Sequence, residues 1–170
     1  MTTGSTPDLG AVYDEHMQHE FVDFDLDATM ATMVDEPHTY FAPTGAGGVG
    51  YTGVSGFYRK HFIGKDKWPH DWSITPVSRT IGGNRLVEEF IVSFTHEVGM
   101  DYILPGIAPT GKHVTVPHVV VVTFEGGKIA HEHIYWDQAS VLVQVGLLDP
   151  DGIPVVGAEQ AAKLIDLAGK

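Results

Sequence analysis

The spacing of apolar residues along this chain changes near residue 72, and the change separates two kinds of element. Before it, the spacing is helical. Asp8 is placed to cap a helix in which Val12, His16, Met17 and Glu20 recur at helical intervals. Residues 25–34 read as a second helix, with Leu26, Met30, Met33 and Val34 as its stripe and Pro37 as its stop. A short strand is expected at 38–42. The glycine-rich stretch 43–50 lacks the Gly-Lys-Ser/Thr and Gly-x-Gly-x-x-Gly patterns of a phosphate cradle, so it reads as a mobile loop or lid. Residues 54–62 form a third helix, with Phe57 and His61 four apart on one face.

From Trp72 onward the period is two. Strands are expected at 72–80, 85–97, 113–124 and 128–137, divided by Gly82-Gly83-Asn84, a Pro/Gly-rich loop at 105–111, and Glu125-Gly126-Gly127. The last divider signals a tight hairpin. Helices first and antiparallel strands second give an α+β class, not an alternating α/β one. A short helix at 158–167 closes the chain. The organisation expected is a flexible terminus at 1–9, one domain at 10–148, and an extension at 149–170.

Composition narrows the function. With 10 basic against 22 acidic side chains, the net charge is −12, which repels phosphate backbones and anionic lipid. Nucleic acid and membrane are therefore not expected partners. The absence of cysteine removes thiol nucleophiles, disulfides and thiolate metal sites. No basic segment leads into an apolar one at the start, and no apolar run is long enough to span a bilayer. A soluble, cytoplasmic protein is expected.

Strand alternation sorts the last hairpin into two faces. Glu132, Ile134 and Trp136 share one; His131, His133, Tyr135 and Asp137 share the other. On the preceding strand Val116 and His118 share a side, and His118 interrupts an otherwise apolar Val run, where a polar group is costly. The pair His131 and His133, with Asp137 beyond, resembles part of a cupin metal site, in which His-x-His plus a carboxylate holds a divalent ion. The last-strand position and the lack of a following Pro-x-Gly turn count against that reading.

Several motifs, taken in order, resemble the nuclear transport factor 2-like superfamily, and within it the SnoaL-like polyketide cyclases and limonene epoxide hydrolases. They are Asp25-Leu-Asp-Ala-Thr-Met30, Tyr51-Thr-Gly53 before a helix, Pro109-Thr-Gly-Lys112, and Gly127-Lys-Ile129 running to Tyr135-Trp-Asp137. The resemblance spans roughly residues 10–145. It implies a strongly curved antiparallel sheet with N-terminal helices in its mouth and one pocket between them. In the family's register the pocket face carries His118, Glu132 and Glu89 as the acid–base set. Trp136, Ile134, Ile91, Ser93, Val116, Phe41 and Phe57 would form the wall, with Tyr51 and His61 at the mouth. His131 and His133 would face away, toward a dimer partner.

The departures are as informative as the matches. The Arg-x-Asp pair and final Asp of limonene epoxide hydrolases fall on Ile91, Ser93 and Ile134, and the cyclases' last-strand acid falls on Ile134, or with a small gap on Asp137. A similar domain also occurs in sequences labelled as dienelactone hydrolase-related, but no serine here has a Gly-x-Ser-x-Gly setting. The expectation is a homodimeric enzyme that uses no cofactor and performs general acid–base chemistry on a small, largely apolar molecule. Isomerisation, cyclisation, dehydration and ring hydrolysis all fit. The alternatives are a binding or assembly domain without chemistry, and a cupin-like metalloprotein.

Overall fold

The structure is a computed structural model and describes residues 8–169. The chain runs α1 (Leu9–Gln18), a π-helical turn (His19–Asp23), α2 (Leu26–Ala31), β1 (Met33–Phe41), β2 (Ala46–Val49) and α3 (Gly50–His61). It continues through β3 (Ser73–Gly82), β4 (Arg85–Thr95), β5 (His113–Glu125), β6 (Lys128–Trp136), α4 (Gln138–Gln144) and α5 (Glu159–Ala168). The architecture is α+β, as the order of periods implies. Of the terminus expected to be flexible, residues 1–7 lie outside the described region.

Six strands form one curved, unclosed sheet in the order β2-β1-β6-β5-β4-β3. The last four strands are consecutive antiparallel neighbours, as their alternation predicts. β1 joins the edge of β6 in parallel, and β2 folds back on β1 as a hairpin. Directly opposed residues share a face, so the registers Phe90↔His118 and His118↔Trp136 continue one row across the concave side. Leu86, Phe94, Val114, Val122 and Phe124 bury there beneath α1 and α3.

Local chemistry explains the element boundaries. The Asp8 carboxylate accepts from Ala11 N–H at 3.1 Å and starts α1. Asp25 does the same for α2 through Ala28 N–H at 3.0 Å. α2 ends at Thr32, however, and Met33 and Val34 begin β1 instead of extending the helix. Pro37 sits within that strand, where the β1–β6 register shifts between Met33 and His38, a place that tolerates a missing N–H donor.

The glycine-rich stretch is not a lid. A turn leads into β2, and a side chain at Gly47 would collide with the Thr39 carbonyl, while one at Gly48 would collide with the Gly53 carbonyl. These glycines allow the hairpin and the start of α3 to pack in contact. His96, just past the end of β4, is buried, with Nδ1 against Thr110 Oγ1 at 3.2 Å. α4 and α5 pack on β5, so the chain's final segment covers part of the sheet. No described helix is long and apolar enough to cross a membrane.

Candidate active site

Between the concave face and α1–α3 lies a cavity of about 70 Å³. Its walls are aromatic and aliphatic: Phe21, Phe41, Phe62, Trp68, Trp72 and Phe90 are among the lining residues. The polar groups that face it are few. Glu20, Thr39, Tyr58, His118 and Glu132 reach it from five different elements, and Tyr102 from the connection between β4 and β5. An apolar cavity with a small number of convergent polar groups is the usual form of a small-molecule site.

Two carboxylates meet one imidazole at this wall. His16, fully buried on α1, places Nε2 3.2 Å from Glu20 Oε2 and 3.7 Å from Glu132 Oε2. The ring's Nε2 makes a hydrogen bond of normal geometry to neither oxygen. Its Nδ1 is 2.7 Å from Thr32 Oγ1, and the Thr32 hydroxyl donates to the Thr29 carbonyl at 2.6 Å. Because that hydroxyl proton is already committed, Nδ1 must carry the hydrogen and donate to Thr32. Nε2 is therefore the titrating position, and it faces the acids. The Tyr58 hydroxyl donates to Glu132 Oε2 at 2.7 Å.

Helical geometry brings these groups together. His16 and Glu20 are four apart on one helix face, and the π-helical turn that begins at His19 carries Glu20 and Phe21 into the cavity wall. Glu132 arrives from β6 opposite Thr39 of β1, and Tyr58 from the buried face of α3.

Burial sets the electrostatics. It pushes the Glu20 carboxyl up to about 7, against the opposing pull of His16. Burial draws the His16 imidazole down, but the neighbouring Glu132 and Glu20 outweigh it and the net shift is upward. Burial, with Glu132 adding to it, holds the Tyr58 phenol well above its usual range, so it remains a donor. Burial does the same to Tyr102. Thr39 Oγ1 and the Tyr102 hydroxyl are buried without a hydrogen-bond partner, although both line the cavity. A ligand oxygen is the partner such groups can take.

The residues expected from the sequence are distributed differently. His118 lines the cavity, but its ring is stacked between Phe90 and Trp136, with centroids 5.5 and 5.1 Å away. Its only polar contact among the described residues is Nδ1 to the Val116 carbonyl at 3.2 Å, and desolvation lowers its pKa to about 4. It meets neither Glu132 nor Glu89 and stays neutral at physiological pH.

Glu89 lies on the outer face and accepts from Ser78 Oγ at 3.2 Å. Ile91 and Ser93 are outer-face residues as well, Ser93 donating to Thr115 Oγ1 at 3.1 Å. The concave residues of β4 are Glu88, Phe90 and Val92, so the expected phase of this strand was off by one. The cause is that Ile91, opposite Pro117, is buried too, on the strand pair that α4 and α5 approach. Both faces are apolar there, and alternation loses its phase.

Ile134 and Phe41 line the cavity. Val116 and Phe57 belong to the surrounding core, and Trp136 is held beside His118 with its indole N–H on Gln138. His61 packs on Phe57 and Tyr102 outside the lining, and Tyr51 is exposed at the start of α3. Asp137 does not join His131 and His133: it caps α4 through Ala139 and Ser140 N–H and accepts from Gln160.

His16, Glu20, Tyr58 and Thr39 were not singled out for chemistry by the sequence. The signal was a His and a Glu occupying a helical stripe reserved for apolar side chains.

The SnoaL-like domain family matches residues 13–132. No curated protein has a significant sequence match. Among solved structures, a candidate SnoaL-like polyketide cyclase from Jannaschia sp. CCS1 superposes with a TM-score of 0.63 at 14% identity, covering 86% of this chain and 99% of that one. IdmH, a candidate polyketide cyclase from Streptomyces antibioticus, gives 0.60 at 15% identity over 82% and 99%. A protein with a ketosteroid isomerase-like fold from Catenulispora acidiphila DSM 44928, in complex with trimethylamine, gives 0.58 at 17% identity over 85% and 96%.

Proposed function

The chain belongs to the SnoaL-like domain family, and from that premise we propose that it is a small-molecule enzyme performing general acid–base chemistry in the concave cavity. The observation that carries this reading is the pair of carboxylates, Glu20 and Glu132, sharing one buried imidazole at an otherwise apolar wall. A carboxyl with a pKa of about 7 is present in both protonation states at neutral pH. Glu20 takes a proton from a carbon next to a carbonyl and returns it elsewhere on the substrate. Glu132, held by Tyr58, favours the protonated form of His16 beside Glu20. The unpartnered Thr39 and Tyr102 hydroxyls supply donors for the enolate oxygen that develops. Proton transfer of this kind underlies isomerisation, cyclisation and dehydration, and side chains alone can carry it.

The small cavity favours a compact substrate over an extended one. Deuterium incorporation into acetone and cyclobutanone in D2O, followed by proton NMR, tests the chemistry without knowledge of the native substrate. Exchange is expected well above the buffer rate and about 10²–10⁴-fold lower in Glu20→Gln, the usual range for a lost acid–base group. Wild-type exchange no faster than buffer, or unaltered in both Glu20→Gln and Glu132→Gln, overturns the proposal. A second reading, a binding domain without chemistry, draws on the apolar side chains Phe90 and Val92 that β4 presents to the cavity. It predicts saturable perturbation of Trp68 and Trp72 fluorescence by these ketones with no exchange.

A further inference from the structure

The outer face of the sheet carries a second cluster of histidines, independent of the cavity. His131 and His133 project from the same side of β6 at i and i+2. β1 runs parallel beside it and sets His38 opposite His131. The three imidazoles gather at one spot. The His38 ring stacks on His131 at 4.4 Å between centroids and 11°, and His131 on His133 at 4.8 Å. His38 Nε2 lies 2.9 Å from His133 Nε2. One ligand nitrogen from each residue lies within 4.8 Å of the other two, and all three residues are half-buried.

We propose that His38, His131 and His133 form a three-histidine site for a divalent transition-metal ion, Zn²⁺ foremost. The donor set is all imidazole nitrogen, which suits zinc, copper, nickel and cobalt and disfavours magnesium and calcium. Zn–N bonds of about 2.0–2.1 Å in tetrahedral geometry set ligand nitrogens about 3.4 Å apart. The His38–His133 pair must open slightly and the longer separations must close, movements within reach of χ rotations on a half-exposed surface.

Three features favour metal over a purely structural role. His38 Nε2 and His133 Nε2 face each other at 2.9 Å, so at least one of them is an unprotonated nitrogen whose lone pair a metal ion can take in place of that hydrogen bond. The buried His131 Nδ1 has no hydrogen-bond partner, an arrangement costly for a group retained only for packing. The charged groups that act on His131 oppose each other, Arg85 against Glu125, while the chain's net charge of −12 favours a cation overall. The expected carboxylate ligand, Asp137, is replaced by His38 because Asp137 is engaged in capping α4.

The test is calorimetric titration of Zn²⁺ into tag-free, chelator-stripped protein, with Co²⁺ absorption as the second probe. One ion per chain with micromolar or tighter affinity is expected, and Co²⁺ should show visible bands from nitrogen coordination. His38→Gln and His133→Gln should each weaken Zn²⁺ binding at least tenfold while circular dichroism is unchanged. Glu20→Gln, in the cavity, should bind Zn²⁺ like the wild type. No binding at 100 µM free Zn²⁺, or equal affinity in both His→Gln variants and the wild type, overturns the site. Should either variant fail to fold, imidazole NMR resonances of the wild type under Zn²⁺ titration decide: shifts confined to histidines other than these three refute it.

Discussion

At the scale of single residues, Glu20 and His118 pull the pH dependence of stability in opposite directions. Glu20 keeps its proton up to about 7 in the folded chain, above its ordinary 4.5. The native state then binds more protons than the unfolded state between those values, and stability falls as pH rises through them. His118 is lowered from 6.5 to about 4, so between those values the unfolded state binds more protons and stability rises with pH. The two effects oppose each other in the wild type. His16, raised above 6.5, adds stability below that pH which is lost as pH climbs through its folded value. In Glu20→Gln the stability curve should therefore tilt upward from pH 4 to 6.5. In His118→Phe it should tilt downward from pH 4.5 to 7. Denaturant unfolding across that range checks both, and parallel curves in all three proteins would refute the assignment. His118→Phe should also retain ketone exchange within about threefold, since its ring contributes stacking, not proton transfer, whereas His118→Ala should lose about 2–4 kcal/mol to the void.

At the scale of elements, the sequence resolved best where one face of a strand is polar. In β5 and β6 the alternation put His118 on one side with Val116, and Glu132 with Ile134, while the resemblance to the family supplied which side faces the pocket. β4 could not be phased, because Ile91 and Phe90 are adjacent and both buried. The start of β1 was misread as helix because Met33 and Val34 happen to continue the stripe of Leu26 and Met30. The strand wins through its pairing with β6, a tertiary contact that local spacing does not encode. α4 was missed, and its cap was taken as a possible metal ligand. Asp137→Ala consequently separates the two roles. It should cost about 1–2 kcal/mol through the lost cap at Ala139 and Ser140, and leave Zn²⁺ affinity unaltered. A stable Asp137→Ala protein that no longer binds Zn²⁺ would reverse that assignment.

At the scale of the whole molecule, the outer face is only partly covered. α4 and α5 occupy the region over β5 near Thr115, where Gln144 bonds both the Thr115 N–H and carbonyl. Farther along, Val87, Val121, His133 and Tyr40 form one row across four strands, and Val119 and Tyr135 begin the next. Tyr40 and Tyr135 are each 45% exposed there, a contiguous apolar and aromatic surface of the sort that marks association. We propose that a second copy of the chain covers it, because a two-fold contact brings this patch against itself and needs no other partner chemistry. About 800 Å² per chain would be enough. Sedimentation velocity at tens of micromolar should give twice the 18.4 kDa chain mass. Val121→Glu and Tyr135→Glu should each return it to the monomer, because a charge placed in the centre of the contact must be desolvated without a partner. Zn²⁺ affinity of Tyr135→Glu should stay within about threefold of the wild type, since all three imidazoles come from one chain. An 18.4 kDa species in the wild type at that concentration would refute the dimer. A dimer that persists in both Glu variants would place the contact elsewhere on the molecule.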